Sequence, residues 1–236
     1  MITVFKQLRS ALKGYLFNWH IPLLANLIPY IIYQLGISMR LDSLIELALL
    51  TFYINIFGTV ISAHFVFIYG KWYFVILQIL VTIFLFFNVS IVFTFSPPDF
   101  YGVHKEIPPG IDISEPLDSV PEGLEKMNNA LVLTRSFQPG IYNYHASYKA
   151  LAAGTLYIKA FEITSNDRLS GARIKEKSKM LLDSGSVGVH SGEFTIYEGD
   201  WGDKYAARIE VWFKPADKSE DFKIAEKNYI VEGWMR

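Results

Sequence analysis

The distribution of charge constrains this chain more than any motif does. Of its 22 Lys and Arg and 23 Asp and Glu residues, only seven lie before Ser96: Lys6, Arg9, Lys13, Arg40, Asp42, Glu46 and Lys71. Between them run apolar stretches at 21–39, 43–69 and 72–95. Each reaches the roughly 20 residues that a helix of ~1.5 Å rise needs to cross a hydrocarbon core of ~30 Å. A buried helix of a water-soluble protein rarely runs so long with so little charge, so three transmembrane helices are predicted. Lys6, Arg9 and Lys13 resemble the n-region of a signal peptide. The first stretch is nevertheless long, ends Gly36-Ile37-Ser38-Met39-Arg40 with no Ala-x-Ala-like site, and is followed by two more, which argues for a retained helix.

Positive residues beside a span are preferentially kept in the cytoplasm. Three of them precede the first span and Lys71 separates the last two, against Arg40 on the other side. This predicts an N-terminus inside and a chain that emerges outside after the third span. Trp19, His20, Lys71, Trp72 and Tyr73 then mark one headgroup level. Residues 2–16 place Phe5, Leu8, Leu12 and Leu16 at helical spacing, an amphipathic leader expected to lie on membrane lipids at the cytoplasmic surface. Within the spans, Glu46 and His64 sit near helix ends, whereas Asn26, Asn55, Gln78 and Asn88 read as interhelical hydrogen-bond partners. Pro29 should kink the first span, because it removes a backbone donor. With no charge at mid-depth, an ion or proton path is disfavoured.

From residue 96 the composition changes. Residues 96–125 hold six prolines among Asp112, Glu115, Asp118 and Glu122, the pattern of an extended, solvated stalk or linker, parts of which could pack on the domain, with a short helical turn at 124–129. The chain is thus expected to divide into a leader (1–19), a three-helix block (20–95), a linker (96–125) and a soluble domain (126–236). Stretches rich in Tyr, Phe, Ile, Val and Thr follow at 130–134, 140–149, 155–164, 193–198, 205–214 and 222–234, separated by Gly, Pro, Asn and Asp. They predict a soluble, antiparallel, all-β domain: a two-sheet β-sandwich of jelly-roll or immunoglobulin-like type.

Residues 97–236 carry 17 basic and 21 acidic residues, an acidic balance that argues against a nucleic-acid partner. The absence of cysteine excludes disulfides, thiolate metal sites and cysteine nucleophiles. His20, His64, His104, His145 and His190 show no metal-ligand spacing, and no catalytic or phosphate-cradling motif is present, so neither enzyme activity nor a metal or cofactor is expected.

Candidate ligand-binding residues come from period-two patterns. In 205–214, Tyr205, Ala207, Ile209, Val211 and Phe213 should face the core, leaving Arg208, Glu210 and Trp212 outward. Tyr142 and Tyr144 also recur at period two, and aromatic faces beside hydrogen-bonding side chains suit a sugar ring. Trp201 lies in the polar stretch Glu198-Gly-Asp-Trp-Gly-Asp-Lys-Tyr205, which reads as a turn, with a ligand-contacting loop or a calcium site as alternatives. Arg173, Lys175, Lys177 and Lys179 would form one basic stripe on a strand, suited to phosphate or sulfate groups on a polymer, but would scatter on a helix. The expectation is a membrane-anchored, extracytoplasmic binding module of a bacterial-type inner membrane, for an envelope polysaccharide or an envelope protein. The alternatives are an accessory or immunity subunit of a membrane complex or, with inverted topology, a cytosolic domain acting through its membrane helices.

Overall fold

A computed structural model describes residues 2–95, 98–217 and 220–234, with the side chains of residues 2–5, 8, 92 and 93 outside that description. The chain divides into two compact units, the first ending at Pro98 and the second starting at Asp99.

The first unit is helical: α1 (Ile2–Phe17), α2 (His20–Ala25), α3 (Leu27–Met39), α4 (Asp42–Tyr69) and α5 (Trp72–Phe95). Three helical stretches, His20–Met39, Asp42–Tyr69 and Trp72–Ile91, are long and apolar enough to cross a membrane. The first of these is interrupted at Asn26, one residue beyond Ala25. Ala25 is the residue whose carbonyl a donor at position 29 would satisfy, so the break follows from Pro29. At the end of α3, Arg40 adopts a left-handed conformation (φ 52°), and the Leu41 amide donates back to the Gly36 carbonyl at 3.0 Å. That Schellman-type closure reverses the chain into α4 within two residues.

The amides behave in two ways. Tyr15 Oη donates to Asn55 at 3.4 Å, Ser62 Oγ donates to the carbonyls of Tyr15 and Leu16 at 3.2 and 3.1 Å, and Gln78 Nε2 donates to Ser62 Oγ at 3.3 Å. This seam ties α1, α4 and α5 together, as polar groups do where hydrocarbon offers no alternative partner. The leader is therefore packed on the bundle as well as helical. Phe17 meets Phe65 and Tyr69 at ring separations of 5.3 and 5.5 Å, and Gly58 leaves room for Tyr15. Phe5 and Leu8 of its apolar stripe lie outside the described side chains. Asn88 bonds within its own helix, to the Phe84 carbonyl at 2.7 Å.

Asn26 is buried with neither amide atom partnered among the described residues, beside a cavity of about 460 Å³ lined by Pro29, Tyr33, Phe52 and Leu85. An unsatisfied amide in an apolar setting costs on the order of 1–3 kcal/mol, and the cavity can accept a larger side chain. Asn26→Leu should raise the unfolding midpoint of the helical unit in detergent, by about 1–2 kcal/mol in stability. An unchanged or lower midpoint, followed by far-UV circular dichroism, would show that the amide is satisfied in the membrane.

The second unit contains two antiparallel sheets. β1 (Ala130–Arg135), β2 (Ile141–Lys149) and β6 (Val187–Thr195) form one in the order β1-β2-β6. The other runs β4 (Arg168–Leu169), β3 (Gly154–Glu162), β7 (Tyr205–Pro215) and β8 (Phe222–Val231), with β5 (Met180–Leu182) also on β3. The alternation expected for β7 holds: Tyr205, Ala207, Ile209, Val211 and Phe213 are buried in the core with Leu156 and Ile158 of β3 and Tyr144 and Phe194 of the other sheet. Tyr229 joins the sheets directly, donating to the Leu131 carbonyl at 3.0 Å and accepting from the Leu133 amide at 3.2 Å.

Helix α6 (Gly171–Lys177) fills the edge of β3 between β4 and β5, the helical alternative for the basic run. The otherwise unpaired Ile158 amide donates to Ser178 Oγ at 2.9 Å, while Ile174 enters the core. The basic run thus starts on a helix and scatters. Arg173 lies 5.0 Å from the Tyr197 ring and Lys177 donates to Tyr197 Oη at 2.9 Å, whereas Lys175 turns toward Tyr157 at 4.3 Å from its ring.

From residue 99 onward the proline-rich segment belongs to the β unit and packs on it, the alternative to a free stalk; Ser96 and Pro97 lie outside the described residues. Ser114 exchanges hydrogen bonds with β8 (to the Asn228 carbonyl at 3.0 Å, from the Ile230 amide at 2.9 Å). Leu117 does the same with β1 (to Leu133 at 2.9 Å, from Arg135 at 2.8 Å). Phe100 and Leu124 are buried, and Leu124–Lys126 forms the expected short helical turn, of 3-10 type. Prolines suit such a segment because they keep it extended while exposed sheet edges supply its partners.

Candidate functional site

The same alternation that buries one side of β3 and β7 presents the other. Opposite pairs along the ladder are Thr155 with Lys214, Tyr157 with Trp212, Lys159 with Glu210, and Phe161 with Arg208. On β8, Lys223 stands beside Trp212, Glu226 beside Glu210 and Asn228 beside Arg208, with a bulge between Val211 and Trp212.

Glu210 is the hub of this face. It is 4% exposed, and its carboxylate accepts from Arg208 Nε at 2.9 Å and Trp212 Nε1 at 2.8 Å, with Lys223 Nζ at 3.4 Å. Burial alone would raise its pKa, but the Trp212 and Arg208 donors and the nearby cations outweigh burial and hold the carboxyl below its ordinary range. Asp221 is likewise held low, first by the Tyr157 hydroxyl that donates to it at 2.6 Å and further by Lys214, Lys175 and Lys159. Burial and the neighbouring Arg168 push the Lys159 ammonium down.

The aromatic rings here are covered by cations. Lys159 Nζ sits 3.3 Å from the centre of the Trp212 ring, Lys175 lies over Tyr157, and the Arg208 guanidinium lies 5.1 Å over Phe161. Tyr157, though on the outer side, is left 1% exposed. A ligand approaching this face meets ammonium and guanidinium groups before it meets a bare ring, which favours negative charge over the stacking of a neutral sugar.

Of the six residues singled out from sequence, Arg208, Glu210 and Trp212 come together. Tyr142 and Tyr144 do not join them, because they lie on β2 with their side chains in the core. Tyr142 Oη accepts from the Glu232 amide at 2.9 Å and Tyr144 Oη donates to the Ser178 carbonyl at 2.7 Å, so neither offers a free aromatic face. Trp201 stands apart in the loop before β7, 41% exposed.

That loop is a turn with committed carboxylates. Gly199 and Gly202 have φ of 89° and 85°. Glu198 accepts from the Ser170 amide and hydroxyl, both at 2.6 Å, and Asp200 accepts from the Asp99 amide at 3.0 Å. Tyr157, Lys159, Asp221 and Lys223 were missed as site residues, and Lys175 was singled out only as part of the basic run 173–179. The period-two order of 155–161 carried the signal for the first two. Nothing local carried it for Asp221, which reaches the face from the β7–β8 connection, and the basic run did not show that Lys175 would reach it from α6. Compared with known proteins, the chain matches no family model and no curated sequence.

Proposed function

We propose that this chain is a membrane-anchored binding module whose β unit, a sandwich of jelly-roll or immunoglobulin-like type, takes an anionic ligand on the outer face of β3, β7 and β8. An acidic polysaccharide of a bacterial-type cell envelope fits that chemistry. The observation that supports it is the cation-capped aromatic face around Glu210, assembled in a domain region whose overall balance is acidic. A surface of that sign, raised against the average charge, is what selective attraction of an anion requires. Positive residues flanking the spans favour this domain lying outside the cytoplasm.

The test uses the full chain in nanodiscs of zwitterionic lipid, titrated with acidic and neutral envelope polysaccharides while Trp fluorescence is followed. Acidic polymers should shift the emission and lose the effect above ~0.5 M salt, where exposed charges are screened within a few ångströms. Silence across the panel would end this reading. Sidedness is checked by adding protease to intact spheroplasts: a domain facing outward is trimmed, and an untouched one moves the function to the cytosol.

A second reading, an accessory or immunity subunit of a membrane complex, is favoured by Leu151, Leu181 and Val187, which are 80, 84 and 67% exposed. Large apolar side chains left so open suit a protein contact. Replacing Leu151 and Leu181 by Asp should then cost a stoichiometric partner in mild-detergent purification, and co-purification unchanged by the double variant would remove it.

A further inference from the structure

We propose that the end of this face where β3 begins is an anion pocket that takes the phosphate or sulfate group of its ligand, a step that rests on the face being the binding site. A groove of about 600 Å³ is lined there by Thr155, Tyr157, Lys175, Lys179 and Lys214 among others. Its three lysines come from two parts of the fold, since Lys175 and Lys179 are four residues apart. Lys214 is on β7 opposite Thr155, Lys175 is on α6, and Lys179 lies between α6 and β5.

Convergence of like charges from unrelated elements is costly unless something negative meets them. The groove supplies only part of that. Lys179 is paired with Glu176 at 2.6 Å. Lys175 stands at the looser distance of 3.8 Å from Asp221, whose carboxylate is already engaged at 2.6 Å by the Tyr157 hydroxyl. Lys159 adds a further cation one rung along, since it too acts on Asp221. Asp221 is therefore an internal anion shared among Lys159, Lys175 and Lys214. A tetrahedral oxyanion entering the groove replaces it as their partner, with the Thr155 hydroxyl as an available donor. Lysine ammoniums suit such an ion because they act as mobile point charges with three donors each.

Two substitutions with opposite expected signs test this. In the full chain in nanodiscs, Lys175→Gln with Lys214→Gln should weaken binding of a phosphorylated or sulfated polysaccharide by roughly tenfold per lysine, as charge-assisted contacts do. Asp221→Asn removes the competing charge but keeps an acceptor for Tyr157, and it should tighten binding by about threefold to tenfold. Sodium pyrophosphate, as the free-ion arm, should compete with the polymer if the pocket takes a detached group, and fail to compete if only the polymer-borne group is held. Either result keeps the pocket.

Lysine and Asp221 variants that leave the affinity for acidic polymers unchanged overturn the pocket while the anion-binding face stands, and equal binding of charged and neutral polymers by the wild-type chain overturns both. Absence of binding to every polymer overturns both.

Discussion

Replacing Glu162 by Gln should cost the β unit about 3 kcal/mol at neutral pH and remove this group's share of the acid-labile stability between about pH 4.5 and 2. The Glu162 side chain is fully buried at the end of β3. Its carboxylate accepts from the Thr164 amide and hydroxyl at 2.8 Å and from the Ser165 amide and hydroxyl at 2.6 Å, with Lys105 Nζ at 3.6 Å. Burial by itself would raise this carboxyl, but the Ser165 and Thr164 donors reverse the effect and bring it from 4.5 to about 2.

A group depressed on folding contributes stability above its unfolded pKa and loses it as pH falls through the folded one. The window for this group is therefore acidic, and its contribution is constant around neutral pH. Glutamine presents an NH2 group to donors that need an acceptor, so the 163–167 loop should loosen. That loop carries Asn166, at φ 57°, whose Oδ1 accepts from Arg208 Nη2 at 2.8 Å. The variant should thus disturb the binding face as well as stability. Urea unfolding of the fragment beginning at Asp99, repeated from pH 7 to pH 2, measures it. A wild-type acid limb no steeper than that of Glu162→Gln would refute the assignment.

Truncating Phe213 to Ala should destabilise the same unit by about 3–5 kcal/mol, the range for deleting a buried aromatic ring. Phe213 is 1% exposed, with Tyr148 and Phe222 at ring separations of 5.4 and 5.6 Å. Across β3, Gly154 leaves the space its ring occupies: a Cβ there would lie 2.4 Å from Phe213 Cζ. No neighbouring backbone can close such a void without breaking the β3–β7 ladder, so collapse is incomplete and the cost stays high. The adjacent Lys214→Ala, on the outer side, should stay within ~0.5 kcal/mol. Comparable losses for the two would contradict the assigned parity of β7.

The helices and the β7 strand were legible in the sequence because their signals are local. Charge-free length marks a span, and alternation over ten residues marks a half-buried strand, whichever neighbours it acquires. The site was legible only where one strand contained it, as in Arg208, Glu210 and Trp212. The tyrosines of β2 show the limit. Their spacing placed Tyr142 and Tyr144 on one side, but sheet β1-β2-β6 turns that side toward the core.

What the sequence alone determined was therefore the division into an apolar helical block and a strand-rich unit, together with which side chains share a face. Tertiary structure alone decided that the Tyr142 and Tyr144 side of β2 is inside, that residues from 99 onward are sewn to the strands, and that Lys175 and Asp221 reach the Trp212 face from distant parts of the chain. The reason is physical: periodicity is a property of neighbouring residues, whereas burial and the convergence of charge depend on contacts between residues far apart in sequence.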